Sequence, residues 1–163
     1  MNVSPGTFTA RLLTITWLPE FNLALFALLL NFPWELLQAP LFEGLARMPH
    51  WEAVKGCSRA ALGDTAILLI AHGSVAASGS GRNWIMAPTR LQMTAFVLVG
   101  VSITVAIELL ATRGWWYSGW SYSAAMPVLP GLRVGLVPLI QWIVLPPLAV
   151  ILARRQLRGH SIS

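Results

Sequence analysis

Four long stretches of the sequence carry no charged side chain, and they limit what the chain can fold into. The uncharged stretches are 21–34, 65–81, 91–107 and 134–153. A transmembrane helix needs about 20 mostly apolar residues in a row. The pattern therefore predicts an all-α integral membrane protein, a bundle of four transmembrane helices that forms one domain over residues 1–163. The predicted spans are 17–41, 53–78, 91–112 and 134–153.

The composition agrees with a membrane location. Hydrophobic residues make up 56% of the chain and charged residues only 10%, against roughly 25% charged residues in a typical soluble domain. The net charge of +5 comes from basic residues that are scattered singly or in small groups, not from the basic stripe of a nucleic-acid-binding protein. We therefore expect a lipid bilayer as partner and no nucleic acid. The single cysteine, Cys57, excludes an intramolecular disulfide and a zinc-finger framework.

The second span is the least regular, because Arg59 and Asp64 lie inside it. Without it, the chain would have three spans and a long polar connection. With four spans, the basic residues divide six against five between the two sides of the membrane, and the larger group includes Arg154, Arg155 and Arg158. Because basic residues favour the cytoplasmic side, we expect a multi-pass protein of a cell membrane with both termini in the cytoplasm.

The connection between spans three and four is rich in aromatic residues. They are Trp115, Trp116, Tyr117, Trp120 and Tyr122. Such amphipathic rings are typical of the boundary between membrane and water. Alternatively, part of this connection folds back as a lid over a cavity. The sequence leaves both interpretations open.

Three carboxylic acids lie within the predicted spans: Glu35, Asp64 and Glu108. A charged side chain at the centre of a bilayer costs roughly 2.5–3.5 kcal/mol on insertion scales, so these acids need a reason to be there. In the first span, Asn31, Glu35 and Gln38 have the i, i+4, i+7 spacing of one helix face. In the third, Glu108 is preceded and followed at four residues by threonines.

Alternating helix direction puts these polar side chains in one half of the membrane. Glu35, Asp64, Glu108 and Gln141 all fall in the half next to the aromatic connection. This shared depth predicts one convergent polar site. There are three simpler alternatives. Glu35 or Glu108 could lie near the membrane–water boundary and extend its carboxyl group into the water. Arg59 and Asp64 could form an ion pair, and Asn31 and Gln141 could join helices by hydrogen bonds.

The residue types exclude several kinds of chemistry. No serine or cysteine lies beside a histidine to form an acyl-transfer nucleophile. A lone membrane histidine, His72, is expected to be structural and hydrogen-bonded, so we expect neither a metal site nor another cofactor. Carboxylic acids in an apolar pocket can instead act as proton donor and base, and Trp34, Trp115 or Trp116 could stabilise a developing cation through its ring face.

The segment Asn31-Phe-Pro-Trp34-Glu35, with later membrane acids and aromatic loops, resembles the small polytopic terpene cyclases, the sterol isomerases and the lycopene cyclase-type proteins. The resemblance covers about five residues and the general architecture. It implies that Glu35 donates a proton to an isoprenoid, with Trp34 and Asn31 beside it. Those cyclases usually have more spans, so the resemblance also implies an oligomer as the active unit.

We therefore expect an acid-lined cavity that binds, or isomerises, cyclises or hydrates, a small lipophilic molecule. The predicted catalytic residues are Glu35, Asp64 and Glu108. The predicted substrate-binding residues are Asn31, Trp34, Gln38, Arg59, Trp115, Trp116, Tyr117 and Gln141. Two alternatives remain open: an accessory or assembly subunit of a larger membrane complex, and a proton- or ion-coupled transporter.

Overall fold

The computed structural model describes residues 16–115 and 119–160, and the architecture within them is helical. Helix α1 covers Pro19–Gln38 and continues as a 3-10 turn over Ala39–Leu41; α2 is the short helix Glu43–Arg47. Helix α3 covers His50–Val75 and continues as a wider turn over Ala76–Ser80. A 3-10 turn at Trp84–Met86 precedes α4, Arg90–Thr112, and the last helix is α5, Leu136–His160.

Four of these helices are long and apolar enough to cross a membrane: α1, α3, α4 and α5. The predicted all-α bundle of four spans is thereby confirmed, and it indicates a multi-pass membrane protein. Two helices extend beyond the predicted spans. Helix α3 begins at His50, not at residue 53, and α5 continues past Arg154 and Arg155 to His160. Charged residues end an apolar stretch, but arginine is a good helix former and does not end a helix.

Local sequence explains where the helices begin and end. Pro19 occupies the first turn of α1, where its missing N–H costs nothing. Thr89 caps α4 in a capping box: its hydroxyl accepts from the Gln92 amide, and the Gln92 side chain accepts from the Thr89 amide. The turn after α3 ends at Gly79 and Gly81, both of which have positive φ angles. Glycine adopts that conformation without strain.

The four long helices form a ring in which α1 and α4 each pack against both α3 and α5. A buried apolar core fills the half of the bundle away from the α1–α2 junction. Its members include Leu23, Ala27, Leu68, Phe96 and Val150. At one point α4 and α5 approach closely, because a Cβ atom on Gly100 would lie 2.3 Å from the ring of Trp142. A glycine is required there.

The bundle has apolar side chains outside and polar ones inside. Leu37 and Leu91 are each 79% exposed, whereas the side chains of Glu35, Glu108 and Gln141 are buried. A water-soluble bundle has the opposite arrangement. An apolar outer surface is the one that lipid chains can cover, which agrees with the candidate spans.

His72 lies at the opposite end of the bundle from the carboxylic acids in the predicted site. Its Nε2 atom is 3.1 Å from the backbone oxygen of Arg82, and its ring stacks on Trp84 with centroids 5.6 Å apart. Nearby, the Arg82 guanidinium donates two hydrogen bonds to Glu20, at 2.9 and 2.8 Å. These contacts give His72 the structural role expected from the sequence: it fixes the connection between α3 and α4.

Candidate functional site

The side-chain amide of Gln141 is the centre of a buried polar cluster. Its Nε2 atom lies 2.8 Å from Asn31 Oδ1, 2.8 Å from Asp64 Oδ2 and 3.1 Å from Glu35 Oε1. An amide nitrogen has only two hydrogens to donate, so three acceptors compete for them. We call Asn31, Glu35, Gln38, Asp64 and Gln141 the amide–acid cluster. It joins α1, α3 and α5.

A second amide completes the cluster from α1. Gln38 Nε2 donates to Glu35 Oε1 at 2.7 Å and to Gln141 Oε1 at 3.2 Å. Gln38 Oε1 in turn accepts from the indole N–H of Trp34 at 3.2 Å. The i, i+3 and i+4 spacing on one helix face places these side chains in contact. The two glutamines therefore fix the orientation of Glu35.

The two carboxyl groups of this cluster lie close together without a cation. Glu35 Oε1 and Asp64 Oδ2 lie 3.1 and 2.8 Å from the same nitrogen, Gln141 Nε2, so the two carboxyl groups are neighbours. The ion pairs in residues 16–115 and 119–160 are Lys55–Glu52 and Arg82–Glu20, and neither involves the cluster. The ion pair between Arg59 and Asp64, considered from the sequence, is not formed; Arg59 is exposed. The cluster thus has two acids whose hydrogen bonds come from amides.

The third acid, Glu108, is held by the connection between α4 and α5. Its Oε2 atom accepts from the indole N–H of Trp120 at 3.2 Å and from the hydroxyl of Tyr122. The Tyr122 oxygen also accepts from the Gly135 amide at 3.0 Å. Burial raises the pKa of the Tyr122 phenol, and its hydrogen bond to Glu108 raises that pKa further. The phenol therefore keeps its proton and acts as the donor to Glu108.

Backbone contacts fix this connection to the junction between α1 and α2. The Ser123 amide donates to Leu41 O at 2.9 Å, and the Glu43 amide donates to Ser121 O at 3.0 Å. The ring of Phe42 packs against both Trp120 and Tyr122. The part of the aromatic connection from residue 119 onward therefore folds back over the end of the bundle, as the lid interpretation requires.

Both groups of acids face one cavity of about 970 Å³. Its wall on α3 includes three small residues, Gly56, Ala60 and Gly63. The rings of Trp120 and Trp142 line it as well. Its polar lining comes from Glu35, Gln38, Arg59, Asp64, Thr104, Glu108, Thr112, Ser121 and Gln141. A cavity of this size is at the upper end of the range for small-molecule sites, roughly 300–1,000 Å³.

Six of the residues predicted from the sequence line this cavity. They are Glu35, Gln38, Arg59, Asp64, Glu108 and Gln141. Asn31 and Trp34 lie behind it and hydrogen-bond to the glutamines of the cluster. The Asn31 side chain also donates to Ala27 O at 2.8 Å, which fixes its amide on α1.

The predicted aromatic residues fall elsewhere. Trp115 is 72% exposed. The guanidinium carbon of Arg113 lies over the Trp115 ring, 5.7 Å from the ring centroid. Trp115 is not part of the cavity wall and suits the boundary-belt interpretation. The predicted residues Trp116 and Tyr117 lie outside the described residues.

Several side chains at the cavity or its acids were not among the predicted site residues. Trp120 and Tyr122 were recognised as aromatic residues of the connection, but nothing in their spacing indicated contact with Glu108. Thr104 lines the cavity four residues before Glu108; the i, i+4 spacing of the two residues is evident in the sequence, but Thr104 was not among the predicted site residues.

The arrangement supplies acids, amides and aromatic rings. In the described parts of the chain, no group of three or more His, Cys, Asp or Glu is placed to hold one. The acids that line the cavity divide into the Glu35–Asp64 pair and Glu108 with its own donors. What the cavity can do chemically is to bind an apolar molecule beside groups that give and accept protons.

No protein-family model, curated protein or solved structure matches this chain.

Proposed function

We propose that this protein binds a small lipophilic, isoprenoid-like molecule in the cavity and isomerises, cyclises or hydrates it by acid catalysis. The observation that carries the proposal is the Glu35–Asp64 pair, two carboxyl groups that form no ion pair within the described residues and face a cavity of about 970 Å³. Two like charges held so close in an apolar region repel one another strongly. We therefore assign one shared proton to the pair.

The shared proton is the one transferred in the first step. A carbon–carbon double bond of the substrate takes it: the π electrons form a new C–H bond, and the O–H electrons stay on the carboxylate. The adjacent carbon becomes a cation. The rings of Trp120 and Trp142 line the cavity and can stabilise that cation through their faces. Trp34, considered for this role from the sequence, lies behind the cavity wall.

The cation then has three outcomes, which correspond to the three reactions. Loss of a proton from a neighbouring carbon to a carboxylate gives an isomer. Attack by a second double bond, followed by the same proton loss, gives a ring. Addition of water, followed by proton loss from its oxygen, gives an alcohol. Glu108 faces the same space and is the second candidate to accept the proton.

The accessory-subunit function is the second candidate, and one observation favours it. Gln141 joins α1 and α3 through Asn31 and Asp64, and such bonds between membrane helices stabilise a bundle without any chemistry. Transport is less well supported, because Leu23, Leu68 and Phe96 close the opposite half of the bundle with apolar packing. For either function we retain a cell membrane, with both termini in the cytoplasm, as the proposed location.

The test is untargeted profiling of lipids and isoprenoids in membranes that contain the wild type, Glu35→Gln, Asp64→Asn or Glu108→Gln at matched protein levels. Glu52→Gln is the matched control, because Glu52 is an exposed acid in a surface ion pair. Catalysis predicts that a product disappears and its precursor accumulates in the Glu35 and Asp64 variants but not in the control. Profiles that match one another and the empty vector count against catalysis and favour the accessory subunit.

A further inference from the structure

The hydroxyl of Thr104 is a buried polar group without a partner. Thr104 is only 7% exposed, and no residue in the described parts of the chain hydrogen-bonds to its Oγ1 atom. Threonines in helices usually satisfy this group with the carbonyl four residues earlier, as Thr65 does with Ala61 O at 2.8 Å and Thr112 with Glu108 O at 2.6 Å. An unpaired hydroxyl in an apolar region is destabilising.

The position of Thr104 connects this hydroxyl with the cavity. Thr104 is part of the cavity wall. It lies eight residues before Thr112, the last residue of α4. Thr104 is therefore about 12 Å along the helix from the end at which the connection to α5 begins. Trp120 and Ser121, from the connection after α4, line the cavity near that end of the helix. Among the residues of α4 that line the cavity, Thr104 is the farthest from this end, so it lies at the inner end of the cavity wall.

We infer that the molecule bound in the cavity carries an oxygen function, a hydroxyl or a carbonyl, that hydrogen-bonds to Thr104 Oγ1. This inference rests on the proposed function for the site and names the substrate class: a lipophilic alcohol, aldehyde or ketone rather than a pure hydrocarbon. A hydroxyl can both donate and accept, so either kind of oxygen satisfies Thr104. The apolar body of the molecule then extends past the acids towards Trp120.

The test measures binding with saturated probes, which have no double bond to protonate. The purified full chain in detergent is incubated with decan-1-ol or decane. Native mass spectrometry, after the detergent is removed in the gas phase, measures how much of each probe stays bound. The wild type is expected to retain the alcohol about five- to tenfold better than the alkane, the worth of roughly one hydrogen bond. Thr104→Val should lose that preference, and Thr104→Ser should keep it.

Thr65→Val is the matched control, since its hydroxyl is bonded within its own helix; it should bind the alcohol like the wild type. The inference is overturned if the wild type retains both probes equally or retains neither. It is also overturned if Thr104→Val keeps the preference for the alcohol. Glu35→Gln distinguishes the two proposals: if it changes no lipid profile while Thr104→Val loses its alcohol preference, this inference stands and catalysis fails.

Discussion

Gln141 and Asp64 lie 77 residues apart in the sequence, yet the amide nitrogen of one is 2.8 Å from a carboxyl oxygen of the other. The same nitrogen also reaches Asn31. Because this amide lies among α1, α3 and α5, it is the point at which helix packing and the proposed chemistry depend on the same atom. It holds the bundle together, and it orients the Glu35–Asp64 pair towards the cavity.

Removal of this amide gives the first prediction. Gln141→Leu and Asp64→Leu should not be additive in the free energy of unfolding, because each removes one half of the same hydrogen bond. We expect a coupling of about 0.5–2 kcal/mol, measured by reversible unfolding in mixed detergent micelles. A control cycle with Thr65→Val in place of Asp64→Leu should be additive within about 0.5 kcal/mol. Additive effects for Gln141 and Asp64 would show that their contact contributes no stability.

The second prediction concerns the ionisation of Tyr122. Burial and the Glu108 hydrogen bond raise the pKa of its phenol, whose ordinary value is about 10. The chain has two tyrosines, so the Tyr117→Phe variant reports Tyr122 alone. Its phenolate absorbance should stay absent as the pH passes about 10, and it should develop at the ordinary pH once the chain is denatured.

A consequence for stability follows from the direction of this shift. Between the ordinary pKa and the raised one, the folded chain keeps a proton that the unfolded chain has lost. The contribution of Tyr122 to stability is therefore fully present below about pH 10 and falls as the pH rises above it. Tyr122→Phe should remove that part of the pH dependence. A folded Tyr117→Phe protein whose phenol titrates at about pH 10 contradicts the bond to Glu108.

The third prediction tests the close approach of α4 and α5. A Cβ atom on Gly100 would meet the Trp142 ring at 2.3 Å, so Gly100→Ala should destabilise the protein by about 1–3 kcal/mol. Gly73 has no atom within 4 Å of the corresponding position. Gly73→Ala should leave stability unchanged or raise it by up to about 1 kcal/mol. The measurement is thermal unfolding in detergent, and equal effects of the two substitutions would contradict the packing described.

The positions of the helices could be predicted from the sequence more fully than the positions of their ends. The helices α1, α3, α4 and α5 could be predicted because they follow from local composition: apolar stretches of span length are a property of the sequence alone. Their ends could not, because α5 continues through Arg154 and Arg155. The hydropathy of the sequence predicts where the apolar, lipid-covered part of a helix ends. The helix itself can continue further, because its end depends on backbone hydrogen bonding.

The candidate site divides in the same way. Alternating helix direction placed Glu35, Asp64 and Gln141 at one depth, and the structure brings them into contact. Depth alone says nothing of rotation about a helix axis or of loops. The bond from Tyr122 to Glu108 depends on how the connection folds against the α1–α2 junction, and no periodicity in the sequence encodes that contact.

The most direct test of the central claim, that the cavity holds a lipophilic molecule, is to fill the cavity from its own wall. Gly63 lines the cavity, and a Cβ atom there has no atom within 4 Å, so the side chain introduced by Gly63→Leu begins in open space. Gly73→Leu is the matched control on the same helix, equally unobstructed and outside the cavity wall. Each protein is purified in mild detergent and its bound lipophilic molecules are extracted and measured by mass spectrometry.

We predict that one small lipophilic species accompanies the wild type and Gly73→Leu in the same molar ratio and is lost from Gly63→Leu, while all three proteins unfold at similar temperatures. The account is contradicted if the three folded proteins carry the same extractable molecules in the same amounts.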